Sequence, residues 1–421
     1  MRLVYTLLLY LSLPLVLARL WWRGRKAPAY RQRWAERLGR FTPPDRPGGV
    51  WVHAVSVGEV QAVAPLLRRL LEQRPLLPLT ITTTTPTGSA RVKALFGDEV
   101  FHVYLPYDLP AALHGFLDRV KPELLVMVET EVWPNLLAAC EDRGIPSLLA
   151  NGRLSERSLK GYRKLGRLAD EAFAGIDWVA AQSTPDAQRF IAAGVPPGRV
   201  SVTGSIKFDM RIPASVEEQA EVLRRQWGDR PVWVAASTHE GEDEVLLEAH
   251  RQLRAQLPEA LLVLVPRHPE RFDSVAALCA RHGLVPARRS AGEVPGPDAA
   301  VFLGDTMGEL PVLLGAADAA FIGGSLVPVG GHNMLEASAQ GVPVVFGPQV
   351  FNFATISRLL LAEGAAEQVS DARELATLLG HWLTDASTRS EVGERGRRVV
   401  DANRGALDQL WELLMAVLPR R

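Results

Sequence analysis

The chain has 421 residues, enough for two or three domains that each bury a core of their own. Lysine and arginine balance aspartate and glutamate at 47 each, which argues against a dedicated nucleic-acid binder, since such proteins carry a basic excess. With 47% hydrophobic and 22% charged residues the composition is that of a globular chain, and the two cysteines, Cys140 and Cys279, lie far apart with no CxxC or Cys/His cluster. They read as reduced buried thiols, not as a disulfide or a zinc site.

The first element is apolar. Leu3–Trp22 (LVYTLLLYLSLPLVLARLWW) carries one charge, Arg19. Twenty residues at about 1.5 Å each approach the hydrocarbon thickness of a bilayer. Trp21 and Trp22 suit an interfacial aromatic belt, and Arg23, Arg25, Lys26, Arg31, Arg33, Arg37 and Arg40 follow with only Glu36 opposing them. That asymmetry places the C-terminal side of the helix in the cytoplasm. A cleaved signal peptide is disfavoured by the long apolar run and by positive charge on the wrong side. Two readings remain: a signal-anchor that spans the inner membrane, or an interfacial helix that lies on it. Pro14 weakens a straight span, and a basic helical pattern resumes over Tyr30–Leu38.

Residues 1–22 are thus expected to form the anchor, and 23–48 a basic juxtamembrane segment ending in a Pro/Gly-rich linker, Thr42–Gly49. Beyond it, strand-like runs at Gly49–Val55, Leu79–Thr84, Leu124–Glu129, Ser147–Asn151, Trp178–Ala181 and Val200–Thr203 alternate with helical patterns such as Glu59–Gln73. The alternation restarts near Pro231. Strands are expected at Val232–Ala236, Leu261–Val265, Ala300–Leu303, Ala319–Gly323 and Val342–Phe346. Helices are expected at Glu242–Gln256, Glu270–His282, Gly308–Ala316, Asn333–Gln340 and Ala372–Thr384. The fold class is α/β: two Rossmann-like domains, 49–210 and 211–421, facing a cleft, with Arg211–Ser215 as hinge and C-terminal helices crossing back to the first half. In such sheets ligands sit outside the carboxyl ends of the strands, so the residues just after strands carry the functional expectation.

Several of those loops bear suitable chemistry. In Trp51–Glu59 (WVHAVSVGE), Glu59 opens a helix; it is either a first-turn acid that stabilises the helix or a general base. In Met127–Asn135 (MVETEVWPN), Glu129 and Glu131 follow a buried run and are either solvated or partnered. Lys207, in Thr203–Asp209 (TGSIKFD), is either a linker lysine or a cation for a donor carboxylate or phosphate. In the second half, Ser237–Glu240 and Pro266–Pro269 follow strands, and Arg267 can fork onto a phosphate. Asp305–Leu310 (DTMGEL) is a helix cap or an anion site. Gly323–Glu336 (GGSLVPVGGHNMLE) combines two glycine pairs with a helix start, as a nucleotide loop would. His332 and Glu336 have a metal-like spacing but no evident third ligand. No Walker loop, Asp-x-Asp or GxSxG motif occurs.

Taken together, these segments and Arg33–Phe41 (RWAERLGRF), AASTHEGE and VPRHPERF resemble the 3-deoxy-D-manno-octulosonic acid (Kdo) transferases over essentially the whole chain. The resemblance implies a GT-B fold and an inverting, metal-independent transfer of Kdo from CMP-Kdo to a lipid A precursor (lipid IVA) at the inner membrane. It implies no cofactor and no nucleic-acid partner. By motif, Glu59 matches the proton acceptor, and Glu129 and Lys207 match residues supporting the transition state. Arg267, His268, Met307, Gly308, Glu309, Asn333, Met334, Leu335 and Glu336 match CMP contacts. Ala337 stands where many members have proline. Another GT-B transferase or epimerase with a UDP donor, or a membrane-tethered nucleotide-sugar sensor without activity, are the alternatives.

Overall fold

The computed structural model describes residues 1–25 and 27–419; Lys26 of the basic stretch, Arg420 and Arg421 lie outside the described residues. The chain divides into two compact units: Met1–Asp209 together with the segment from Arg404 onward, and Met210–Asn403.

The first unit is built on a seven-stranded sheet: β1 (Val50–His53), β2 (Leu79–Thr83), β3 (Phe101–Tyr104), β4 (Leu124–Val128), β5 (Ser147–Gly152), β6 (Trp178–Ala181) and β7 (Val200–Val202). Its order is β3-β2-β1-β4-β5-β6-β7, and every pairing is parallel. The second unit repeats the plan with β8 (Val232–Thr238), β9 (Leu261–Pro266), β10 (Ala287–Arg288), β11 (Val301–Leu303), β12 (Ala319–Ile322), β13 (Val344–Phe346) and β14 (Ala366–Gln368), in the order β10-β11-β9-β8-β12-β13-β14, again all parallel. Both sheets reverse their winding beside the first strand, at β1/β4 and at β8/β12. Parallel strands need crossovers, so helices cover both faces and the central strands read as unbroken apolar runs such as LLVMV and LLVLVP.

Three strands were not expected from the sequence. β3 is half polar (FHVY), β10 has two residues, and β14 reads AEQ. All three lie on sheet edges, where one side lacks a neighbour and the apolar signal fades. The helix expected over Asn333–Gln340 is shorter, Leu335–Ser338, because Asn333 turns its side chain onto the Leu335 N–H and Gly341 takes φ 71°. The helix Ala214–Trp227 begins inside the expected hinge Arg211–Ser215.

In the first unit, Trp51, Phe116, Phe173 and Phe190 fill one face of the sheet, and Val60, Leu66, Leu67 and Ile81 the other. The C-terminal helix Ala406–Val417 joins that second cluster through Leu410, Trp411 and Leu414. Asp209 fixes its start by accepting from Gly405 N (2.6 Å) and Leu407 N (2.7 Å). The second unit packs Trp233, Leu264, Phe321, Leu375, Leu379 and Trp382.

The N-terminal helix Arg2–Arg23 is long and apolar enough to cross a membrane, with a mean hydropathy of 1.9 over its best window. It runs unbroken through Pro14.

Because Leu410 is fully buried in the first unit's core, Leu410→Ala should destabilise that unit by about 2–5 kcal/mol. Chemical denaturation should show the loss in the transition of the first unit.

Candidate active site

The residues singled out in the sequence gather at the carboxyl ends of each sheet. In the first unit, β1 runs into Ala54, Val55 and Ser56, and the helix Val57–Gln73 follows. Ser56 is the N-cap, its Oγ facing Glu59 N at 3.5 Å. Glu59 reaches back: Oε2 accepts from Val55 N (2.7 Å) and Oε1 from Ser56 Oγ (3.0 Å). This is a variant of the capping box, with the carboxylate reaching the N–H one residue before the N-cap, and its S-x-x-E is legible in the sequence. Glu59 is therefore both the first-turn acid and a half-exposed carboxylate at the sheet rim. Burial pushes its pKa up to about 7; the Val55 and Ser56 donors oppose the rise, and Glu129 and Glu131 add to it.

Glu129 sits at the end of β4 with φ 65°, a left-handed conformation uncommon for a residue with a side chain. Its Oε1 pairs with Lys207 Nζ at 2.7 Å. Lys207 lies on a short turn, Ile206–Asp209, held at one end by Asn151, whose Oδ1 accepts from Ile206 N (3.2 Å). Asp209 holds the other end. Asn151 is buried and also has positive φ, 54°. Glu59, Glu129 and Lys207 thus come from three loops of one sheet rim.

Glu131 belongs to the same cluster, although the family resemblance assigns it no role. Trp133 Nε1 donates to its Oε2 at 2.8 Å, and burial pushes its pKa up to about 7. His53 Nε2 stands 3.9 Å from that oxygen and has no hydrogen-bond partner. Burial holds His53 near 4, hence neutral, and its Nδ1 faces the Thr82 carbonyl at 3.2 Å. With the proton on Nδ1, Nε2 presents a bare lone pair to Glu131, and a proton on Glu131 relieves the contact. No sequence pattern marks this pair, because 78 positions separate its members.

In the second unit the organising group is Glu242, which is fully buried. Its Oε2 accepts from His239 N (2.9 Å) and Gly324 N (2.6 Å), and its Oε1 from Ser325 N and Leu326 N (both 2.9 Å). One carboxylate thereby folds the glycine-rich loop onto the end of β8. Glycine is required at 323, where a Cβ would stand 2.6 Å from the Ser237 carbonyl and 2.8 Å from Thr238 Cα. Beside it, Asp243 accepts from Thr238 Oγ1 (2.6 Å) and pairs with Arg271. Glu240, in the expected loop Ser237–Glu240, is exposed, and the carboxylate that organises the loop is buried Glu242 two positions on.

Around this loop, His239 Nε2 meets His332 Nε2 at 2.8 Å, and the His268 ring stands edge-on to His239. Burial lowers His239 to about 4 and His332 to about 3, so the pair is neutral. His332 and Glu336 do not converge as metal ligands would: Glu336 Oε1 accepts from Asn333 Nδ2 at 3.0 Å, and burial raises its pKa. Among the described residues no group of three or more His, Cys, Asp or Glu side chains is arranged to hold a metal. Arg267 is half-buried and His268 exposed. Met307 is 61% exposed on a turn made by Gly308 (φ 88°), and Glu309 is held by Arg289 (2.6 Å), which lowers its pKa. Met334 and Leu335 are fully buried side chains, so only their main chain is available to a ligand.

Two seven-stranded parallel sheets, each with polar groups collected at its carboxyl rim, define the GT-B class of nucleotide-sugar enzymes. The fold is shared with the UDP-GlcNAc 2-epimerase of Neisseria meningitidis, at a TM-score of 0.60 and 14% identity, over 88% of this chain and all of that one. The model of the 3-deoxy-D-manno-octulosonic-acid transferases (kdotransferases) matches residues 32–210. The Haemophilus influenzae 3-deoxy-D-manno-octulosonic acid transferase is 45% identical over all of this chain and 99% of its own length. The Bordetella pertussis enzyme is 42% identical over 98% of both. The chain belongs to the Kdo transferase family of glycosyltransferases.

Removing the Glu242 carboxylate strands the buried amides of Gly324 and Ser325, at about 1–3 kcal/mol apiece, and the half-buried ones of His239 and Leu326. Glu242→Ala should destabilise the second unit by about 2–6 kcal/mol, from the two buried amides alone. Hydrogen exchange at Gly324, Ser325 and Leu326 should accelerate most.

Proposed function

We propose that the chain transfers Kdo from CMP-Kdo to a lipid A precursor, lipid IVA, with inversion at the anomeric carbon and without a metal. It works at the cytoplasmic face of the inner membrane, held there by the N-terminal helix. The observation that carries the reading is Glu59: a carboxylate at a sheet rim, held by two donors and poised to exchange a proton near neutrality. Full-length identity to Kdo transferases supplies the substrate class.

In this reading Glu59, ionised, takes the proton of the acceptor's 6-hydroxyl as its oxygen attacks the anomeric carbon. The new C–O bond forms while the bond from that carbon to the CMP phosphate breaks, so CMP departs with the electron pair and Glu59 ends protonated. Lys207, oriented by Glu129, supports negative charge on the sugar in the transition state. The donor is held by the second unit. Arg267 and His268 meet the phosphate, Met307, Gly308 and Glu309 flank the nucleotide, and Asn333, Met334, Leu335 and Glu336 contact it. Met334 and Leu335 do so through their main chain. Burial raises the Glu336 pKa, and its carboxyl oxygens can accept from ribose hydroxyls. The phosphate charge is met by protein cations, since a monophosphate leaving group carries fewer charges than a diphosphate.

Glu59→Ala should abolish transfer in a radiolabelled sugar assay while CMP binding stays nearly intact; retained turnover would falsify the assignment. Arg267→Ala should instead weaken CMP binding by about 10- to 100-fold, the worth of a charge-assisted hydrogen bond. A base must be ionised to act, so kcat should rise with pH and level off above pH 7, falling by about tenfold per unit below it. CMP should raise the melting temperature more than UDP does, which separates this reading from a UDP-dependent relative.

A further inference from the structure

The helix Arg2–Arg23 has two opposed faces. Tyr5, Thr6, Leu9, Ser12, Leu13, Leu17 and Leu20 are half-buried at spacings of three and four residues, so they form one stripe. Leu3 (86% exposed), Leu7, Leu11, Leu15 and Trp22 form the opposite stripe and are open along its whole length. A helix standing free in a bilayer has no reason to be shielded along one side from end to end.

Polar bonds fix the shielded face. Tyr5 Oη donates to Asp108 Oδ2 (3.0 Å), and Thr6 Oγ1 donates to Asn135 Oδ1 (3.0 Å). Asp108 is buried and also accepts from Asn135 N and Leu136 N, so it caps the helix Pro134–Glu141 against which the N-terminal helix packs. The far end is tied down as well. Arg31 Nε donates to the Trp21 carbonyl, and two residues later Arg33 donates to Ser89 Oγ (2.9 Å). Arg37 Nη2 then reaches the Thr84 carbonyl (2.8 Å), and Glu36 Oε2 accepts from Tyr104 N (2.8 Å). The first turn of an element about 33 Å long is therefore bonded to the body of the first unit, and its last turn to the segment that leads into that body. If the helix spanned, Tyr5 and Thr6 would lie near the far headgroups and would draw Asp108, Asn135 and the unit behind them through the hydrocarbon, where buried carboxylates and irregular loops are not tolerated.

We propose that Arg2–Arg23 is an in-plane anchor, bonded to the first unit through its half-buried face and sunk along the other into a single leaflet, so that residue 2 and the body lie on the same side of the membrane. The occupant of the open face is the acyl layer of an anionic bilayer. The leucine stripe supplies the apolar area, Trp21 and Trp22 suit the headgroup boundary, and Arg19, Arg23 and Arg25 flank it with positive charge. The inference takes the membrane location from the proposed function, but neither readout below uses sugar transfer, so it stands or falls separately.

The test uses the full chain in inner membranes. Single cysteines replace Arg2 (Arg2→Cys) and the body residue Val202, which is 47% exposed (Val202→Cys); the native Cys140 and Cys279 are buried. An impermeant maleimide should label neither in intact spheroplasts and both after permeabilisation. In a second arm, Thr6→Cys with Asn135→Cys should give an intrachain disulfide on oxidation of the vesicles, seen as a gel shift lost on reduction. Labelling of Arg2→Cys from outside while Val202→Cys stays protected overturns the proposal, and so does failure of the pair to crosslink in membranes.

Discussion

A carboxylate receiving backbone amides is the interaction on which both units depend. A parallel sheet delivers every strand's C-terminal end to one rim, and the loops that leave it carry N–H groups that no strand can satisfy. At this rim short acidic side chains satisfy them. Glu59 takes Val55 N, Asp108 takes Asn135 N and Leu136 N, and Asp209 takes Gly405 N and Leu407 N. Glu242 takes four amides by itself. Each bond is charge-assisted and ties a loop to its sheet, so the rim is stiff where the chemistry is proposed.

The arrangement concentrates negative charge, and the first unit manages it by pairing. Glu129 is matched with Lys207, and Glu131 is placed against the bare nitrogen of His53, where it is best neutral. Glu59 is the third carboxylate of the cluster. Its pKa rises from 4.5 to about 7 mainly through burial, so the folded state holds that proton more firmly than the unfolded chain does. The stability it contributes is present in full below pH 4.5 and is lost as pH climbs to about 7, which is the range in which the proposed base becomes active. Function at neutral pH therefore costs some stability, and the two capping donors offset part of that cost.

Much of this plan is legible in the sequence, for identifiable reasons. Central strands such as LLVMV and LLVLVP are buried on both faces, so their composition alone announces them, whereas the edge strands FHVY and AEQ are not continuous apolar runs. Glu59 was readable because its capping partner lies three residues away. Asn151, Glu242 and the His53–Glu131 contact were not, because each acts on a segment 55 to 84 residues distant or, for His53, across 78 positions. Burial rather than residue type distinguishes Glu242 from Glu240, and a single sequence does not display burial at that resolution.

The loop between β4 and the helix Pro134–Glu141 joins two jobs that the sequence presents as separate. Its first residue, Glu129, orients Lys207; Glu131 lies beside His53; and Asn135, at the start of the helix, accepts from Thr6 of the anchor. The seven residues Glu129–Asn135 thus connect the N-terminal helix to the carboxylate cluster, with both ends bonded into the same rim. A lipid-linked acceptor presents its sugar hydroxyl at the height of the headgroups, and a base on a flexible tether would sample many depths and few productive ones. In the proposed in-plane arrangement, fastening the helix to the loop that carries the cluster fixes the height of the proposed site above the leaflet, which is orientation obtained from the fold before any substrate arrives.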